Sequence, residues 1–151
     1  LPFANEGFSH VISIDVVMHL PDRQDSLAKW WRVLKPGGRL LFTDACIVNG
    51  VLSDEDIRIR SHYGLSHFVP EGFNESALAS AGFTLEKKEK HSDGLIAICS
   101  GRWQARERYK KELVGEFGEA AFEHEQAYLK KLVEIYSEQK LLRYAYLANK
   151  C

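Results

Sequence analysis

A chain of 151 residues with 45% hydrophobic and 27% charged residues carries enough apolar material for one core, and a single domain over residues 1–151 is expected. A formal net charge of −1 gives no electrostatic case for nucleic acid or an anionic membrane surface as partner. No apolar run approaches the ~20 residues that cross a bilayer, and no charged-then-apolar leader opens the chain, so a cytoplasmic location is expected. The three cysteines, Cys46, Cys99 and Cys151, are far apart and odd in number, which fits reduced thiols and matches no zinc motif.

Residues 11–17, VISIDVV, are short, β-branched and nearly continuous in apolar character, as in a strand buried on both faces of a parallel sheet. Pro21-Asp22 then signals a helix start. Leu27, Trp30, Trp31 and Leu34 follow at the spacing that puts them on one helical face, which should cover the sheet. Lys35-Pro36-Gly37-Gly38 stops that helix, because proline disfavours helical geometry in the residue before it and glycine accepts a left-handed exit. Residues 39–43 form the next strand. Strand, covering helix and strand make a βαβ unit, the repeat of doubly wound α/β folds.

Residues 47–73 read as an irregular segment in which Ser53-Asp54-Glu55 starts a short helix ending near Gly64. His62, Tyr63 and His67 cluster in it, and a neutral histidine is the usual base near neutral pH; surface histidines on a lid are the alternative. A helix over 71–81 closed by Gly82 and an edge strand over 83–90 protected by its charges come next. Ser92-Asp93 caps a helix to about Phe117, and a second helix spans 119–139. Residues 95–98 alone resemble a strand, but Ile96, Cys99, Trp103, Leu113 and Phe117 recur as on a helix. Arg102, Arg106, Arg108, Lys110 and Lys111 are interleaved with Glu107 and Glu112, which reads as a solvated face. The last strand covers 141–150. The chain thus divides into a βαβ core with lid segment (1–91), a helical insertion (92–140) and a final strand (141–150).

Two stretches, LPFANEGFSHVISIDVVMHLPD and LKPGGRLLFTD, resemble the middle and post-middle motifs of class I S-adenosylmethionine-dependent methyltransferases that act on small molecules. The resemblance implies an α/β, Rossmann-like methyltransferase fold in partial form: strands four to seven of a seven-stranded sheet, with a helical insertion before the last strand. FVPEGFNESALASAGFTLEKKE and the closing YAYLANK look like the family's fifth helix, sixth strand and antiparallel seventh strand. S-adenosylmethionine is the implied cofactor. By the same resemblance, the backbone at Ile14 and Asp15 lies along its methionine part, while Met18 and His19 look towards the sulfonium. Core filling for Met18 and a helix-start role for His19 are the alternatives. Asp44, at the end of the second strand, would hold an amine or hydroxyl of the substrate, or else cap the next loop. HYGLSHF resembles the stretch that carries the active-site histidine in phosphobase-type and related amine methyltransferases, which makes His62, His67 and Tyr63 the catalytic candidates.

The family's glycine-rich turn after its first strand has no counterpart here, since Gly37-Gly38 follows a helix. The expectation is a chain that begins mid-fold, as a fragment or truncated product. Two functions follow from this: the substrate-facing half of a methyltransferase, or a non-enzymatic remnant. Because an unpaired apolar edge invites pairing, the remnant is expected to form a homodimer through the open edge of strand 11–17.

Overall fold

The computed structural model describes residues 1–61 and 64–151; the expected sites His62 and Tyr63 lie outside the described residues. Its first strand, β1 (Phe8–Ser13), leads through a 3-10 turn at Val17–His19 into helix α1 (Arg23–Val33). Asp22 caps that helix by accepting the Asp25 N–H at 2.9 Å, as Pro21-Asp22 suggested. Strand β2 (Leu34–Val48) follows directly and runs parallel to β1. It is far longer than the expected 39–43, because the KPGG turn itself enters the sheet. Gly38 is buried there, and a Cβ on it would stand 2.8 Å from the Lys35 carbonyl oxygen and 3.2 Å from that of Ser9. Only glycine lets the two strands approach so closely.

Beyond β2 come α2 (Asp54–Arg60), a two-residue strand β3 (Val69–Pro70) that pairs with Ile47 and Val48, and α3 (Phe73–Ser80). Strand β4 (Phe83–Lys90) has the expected bounds. Helices α4 (Ser92–Arg108), α5 (Lys110–Phe117) and α6 (Glu119–Ser137) then precede β5 (Leu141–Lys150). The first of these helices is therefore broken at Tyr109 rather than continuous to Phe117. Ser92 does not cap it, because its hydroxyl accepts the Arg143 N–H at 3.0 Å.

Among the described residues the sheet is mixed, with strand order β1-β2-β5-β4 and β5 antiparallel to both neighbours. This is the α/β, Rossmann-like architecture expected, with the helical insertion before the last strand. Helices α1 and α3 cover one face through Leu27, Ala77, Leu78, Phe42 and Tyr146. On that face the Phe42 and Tyr146 rings stack at 4.7 Å across the β2–β5 pair. The other face is covered by α2, α4 and α6 through Cys46, Cys99, Leu129, Ile135 and Tyr136.

One expectation needs correcting. The first strand ends at Ser13, not at Val17, and it is not buried on both faces: Ile12, Ile14 and Val16 are 68%, 51% and 46% exposed. The reason lies in its position. It stands at the sheet edge, α1 covers only the face carrying Val11, and the side chains that alternate with Val11 are left largely exposed.

Candidate functional site

The carboxyl ends of β1 and β2 meet the start of β5 at one end of the sheet, the place where open α/β sheets bind ligands. Strand β2 carries a bulge there, since its register with β5 slips between Asp44 and Ile47. A bulge leaves backbone groups without ladder partners, and side chains take them up. The Ala45 carbonyl accepts a short hydrogen bond from the Tyr136 hydroxyl of α6. The Cys46 N–H donates to Asp44 Oδ1 at 2.9 Å.

Asp44 is fully buried. Its other oxygen accepts from the Arg23 guanidinium, in a short ion pair, and from Asn74 Nδ2 at 2.9 Å. Both oxygens are committed to the protein interior, so the carboxylate holds elements together. Arg23 also donates to Asn74 Oδ1 at 3.2 Å and to the His67 carbonyl, tying α1, β2, α3 and the segment before β3 to one point.

The same segment is stitched to the turn after β1. The His67 N–H donates to the Met18 carbonyl at 2.8 Å, and His19 Nδ1 lies 3.0 Å from the Leu65 carbonyl. A carbonyl only accepts, so Nδ1 carries a proton, and in the neutral tautomer of this exposed imidazole Nε2 is the acceptor nitrogen. The structure therefore gathers Met18, His19, Asp44 and His67 in one neighbourhood, with Ile14 and Asp15 beside them at the end of β1. His67 also lines a cleft with Leu20, Arg23, Gln24, Phe68 and Phe73.

Behind Met18 stands Arg60, the last residue of α2, 8% exposed. Its Nη2 donates to Met18 Sδ at 3.3 Å and its Nε to the Tyr136 hydroxyl at 3.2 Å. Both acceptors are neutral, and no described carboxylate ion-pairs with Arg60. Burial pushes the neighbouring Cys46 thiol up to about 11, outweighing the pull of Arg60. Cys46 is therefore a thiol near neutral pH and no nucleophile. Burial likewise raises Tyr136, which keeps its proton and donates it to Ala45.

Asp15 has a left-handed backbone, with φ 51°. Its N–H donates to Thr43 Oγ1 at 2.8 Å, its carboxylate accepts from the same hydroxyl at 2.8 Å, and Arg143 of β5 grips both carboxylate oxygens at 3.0–3.3 Å. Arg23, Arg60, Asn74, Tyr136 and Arg143 were not singled out from the sequence. The lone Arg143 inside the apolar run LLRYAYL was a usable signal, since a charge in a buried strand needs a partner.

Residues 1–42 match the family of methyltransferase domains. A phosphoethanolamine N-methyltransferase of Zea mays is 24% identical over 121 residues, which is 80% of this chain and 24% of that protein. A glycine/sarcosine/dimethylglycine N-methyltransferase of Actinopolyspora halophila is 28% identical over 134 residues, 89% of this chain and 24% of that protein. The chain thus spans about a quarter of the length of these relatives. Among solved structures, a Haemonchus contortus phosphoethanolamine N-methyltransferase in complex with phosphomonomethylethanolamine and S-adenosylhomocysteine superposes with a TM-score of 0.89 at 20% identity, covering 98% of this chain and 35% of that one. Over its first 42 residues the chain is similar in sequence to methyltransferase domains, and over nearly its whole length it shares the Rossmann-like fold of solved methyltransferases.

Proposed function

We propose that this chain forms the substrate-facing side of an enzyme that transfers a methyl group from S-adenosylmethionine to a small acceptor, an amine that also carries an anionic group. The observation that carries the acceptor class is Arg60: a buried guanidinium beside Met18, given only neutral acceptors by the described residues. A buried cation without a countercharge favours an anion. The relatives named above act on phosphoethanolamine or on glycine, sarcosine and dimethylglycine, all amines with a phosphate or carboxylate.

For the cofactor, the end of β1 offers exposed apolar side chains, Ile14 and Val16, beside polar Asp15 and His19. That mixture suits a ligand with an apolar thioether stem and an amino-acid end. Bound there, S-adenosylmethionine would supply an electrophilic methyl on sulfonium. The chain's own residues then have limited tasks, because methyl transfer needs mainly in-line positioning and a base where the acceptor must lose a proton. His19, with Nε2 as acceptor, takes that proton in this reading; His67 is the second candidate, and His62 and Tyr63 remain catalytic candidates of the same lid segment. No glycine-rich turn follows a strand in this sequence, so competence requires a segment that supplies one.

Calorimetric titration with S-adenosylhomocysteine, followed by label transfer from S-adenosylmethionine with the chain joined to a segment that supplies that turn, tests this. Transfer to phosphate- or carboxylate-bearing amines over neutral amines is expected. Equal transfer to neutral amines would refute the anionic acceptor.

A second reading rests on the bare edge of β1 with exposed Ile12, Ile14 and Val16: a non-enzymatic homodimer joined edge to edge. Light scattering that gives a monomer at high concentration would dismiss it.

A further inference from the structure

The left-handed turn at Asp15 is held from the far end of the chain. Arg143 lies in the register gap of β5, between Tyr144, which pairs with Asp44, and Leu142, which pairs with Ile47. There it faces the β2 bulge. Its backbone is fixed on both sides, the N–H by Ser92 Oγ at 3.0 Å and the carbonyl by the His91 N–H at 2.8 Å. From this anchored position its side chain crosses β2 to reach Asp15. Nε lies 3.0 Å from Oδ1 and 3.3 Å from Oδ2, and Nη2 lies 3.1 Å from Oδ2.

Thr43 Oγ1 sits at the centre of this arrangement. It donates to Asp15 Oδ1, accepts the Asp15 N–H, and lies 3.4 Å from Arg143 Nη2. The three side chains therefore close a ring around one backbone turn. A non-glycine residue at φ 51° is a backbone state that persists only where its surroundings over-determine it, and such states gather at ligand sites. Here the ring supplies the over-determination. What it holds out is residues 14–16, with Ile14 and Val16 bare on either side.

We infer that Arg143 is a positioning residue of the cofactor site: acting through Asp15 and Thr43, it sets the turn that presents residues 14–16 to the ligand. The inference rests on the cofactor reading above. It links the helical insertion to the site as well, because the start of α4 fixes the backbone from which Arg143 reaches.

The test uses the full chain with Arg143→Met and Arg143→Lys, measuring backbone amide exchange by nuclear magnetic resonance together with S-adenosylhomocysteine affinity. In Arg143→Met the Asp15 amide should lose about ten-fold in protection, while the amides of Leu40 and Ala148 in the sheet centre stay within about two-fold. Affinity should fall by about five-fold or more, with Arg143→Lys restoring part of both. Uniform loss of protection across the sheet would overturn the proposal, since it would make Arg143 a general prop. An unchanged Asp15 amide would overturn it too. If the unaltered chain binds no S-adenosylhomocysteine, the cofactor reading falls and takes the ligand role of the turn with it; the amide measurement still decides whether Arg143 holds the turn.

Discussion

Replacing Arg23 with methionine should be among the most damaging single changes in this chain. Methionine keeps much of the aliphatic stem and removes the guanidinium. Asp44, fully buried, then keeps Asn74 Nδ2 and the Cys46 N–H, both at 2.9 Å, but loses its countercharge. The His67 carbonyl and Asn74 Oδ1 each lose a donor as well. Stranding one member of a buried pair costs about 3–5 kcal/mol. Arg23 Nε has no hydrogen-bond partner among the described residues, so its removal returns a fraction of that. For 151 residues the loss corresponds to a fall in Tm of roughly 6–20 °C, or a shift of the urea midpoint of about 1.5–2.5 M with a slope near ~2 kcal/mol/M. Urea melts followed by circular dichroism measure it, and Arg23→Met with Asp44→Leu should recover about half of the loss. A single variant within about 0.5 kcal/mol of the unaltered chain would refute the buried pair as the point that joins α1, β2 and α3.

Asp56 of α2 is 1% exposed and is met by Lys131 and Lys140. Burial pushes its carboxyl up, but the Ser53 N–H and hydroxyl and the Lys131 ammonium outweigh it and bring the pKa from 3.8 to about 2. A pKa lowered on folding contributes stability above pH 3.8, lost as pH falls through about 2, and is worth about 2 kcal/mol. Denaturation curves of Asp56→Asn should therefore lack that acid slope; an equal slope in both proteins would dismiss the argument. Tyr136→Phe leaves the Ala45 carbonyl and Arg60 Nε short of a partner, at about 1–3 kcal/mol, and a thermal melt unchanged from that of the unaltered chain would show the bulge is satisfied otherwise. Gly38→Ala forces a Cβ to 2.8 Å from a backbone oxygen; a loss of about 1–3 kcal/mol in urea is expected, and a neutral outcome would mean the β1–β2 approach is looser than described.

Much of the fold was legible because local signals agreed with global packing. The Asp22 cap, the Ser53 capping box and the charged alternation of β4 each act within a few residues, and each told its element correctly. The edge position of β1 was also legible, but the exposure of Ile12, Ile14 and Val16 was not, since β-branched runs look the same whether one face or two are covered. The site divides in the same manner. The 14–19 stretch and Asp44 could be placed at strand ends because strand ends are recognisable from sequence. Their partners were not: Arg143 meets Asp15 across 128 residues, and Tyr136 meets Ala45 across 91. Such contacts belong to the topology and leave no local pattern. Asp44 illustrates the consequence. Its place at a strand end suggested a substrate ligand, and only the packing of α1 and α3 around it reveals a carboxylate already occupied by the protein.

Mapping S-adenosylhomocysteine onto the chain by amide chemical shifts tests the central claim most directly. With part of the cofactor's contacts supplied, binding of about 1 mM, near −4 kcal/mol, is expected. The shifts should be confined to residues 14–19 and the neighbouring end of β2 around Asp44. Shifts that fall instead in the apolar groove that Ser100, Trp103 and Gln104 of α4 form with Lys130 and Val133 of α6, or none at all near 14–19 as the ligand approaches saturation, would contradict the assignment of this sheet end as the methyl-transfer site.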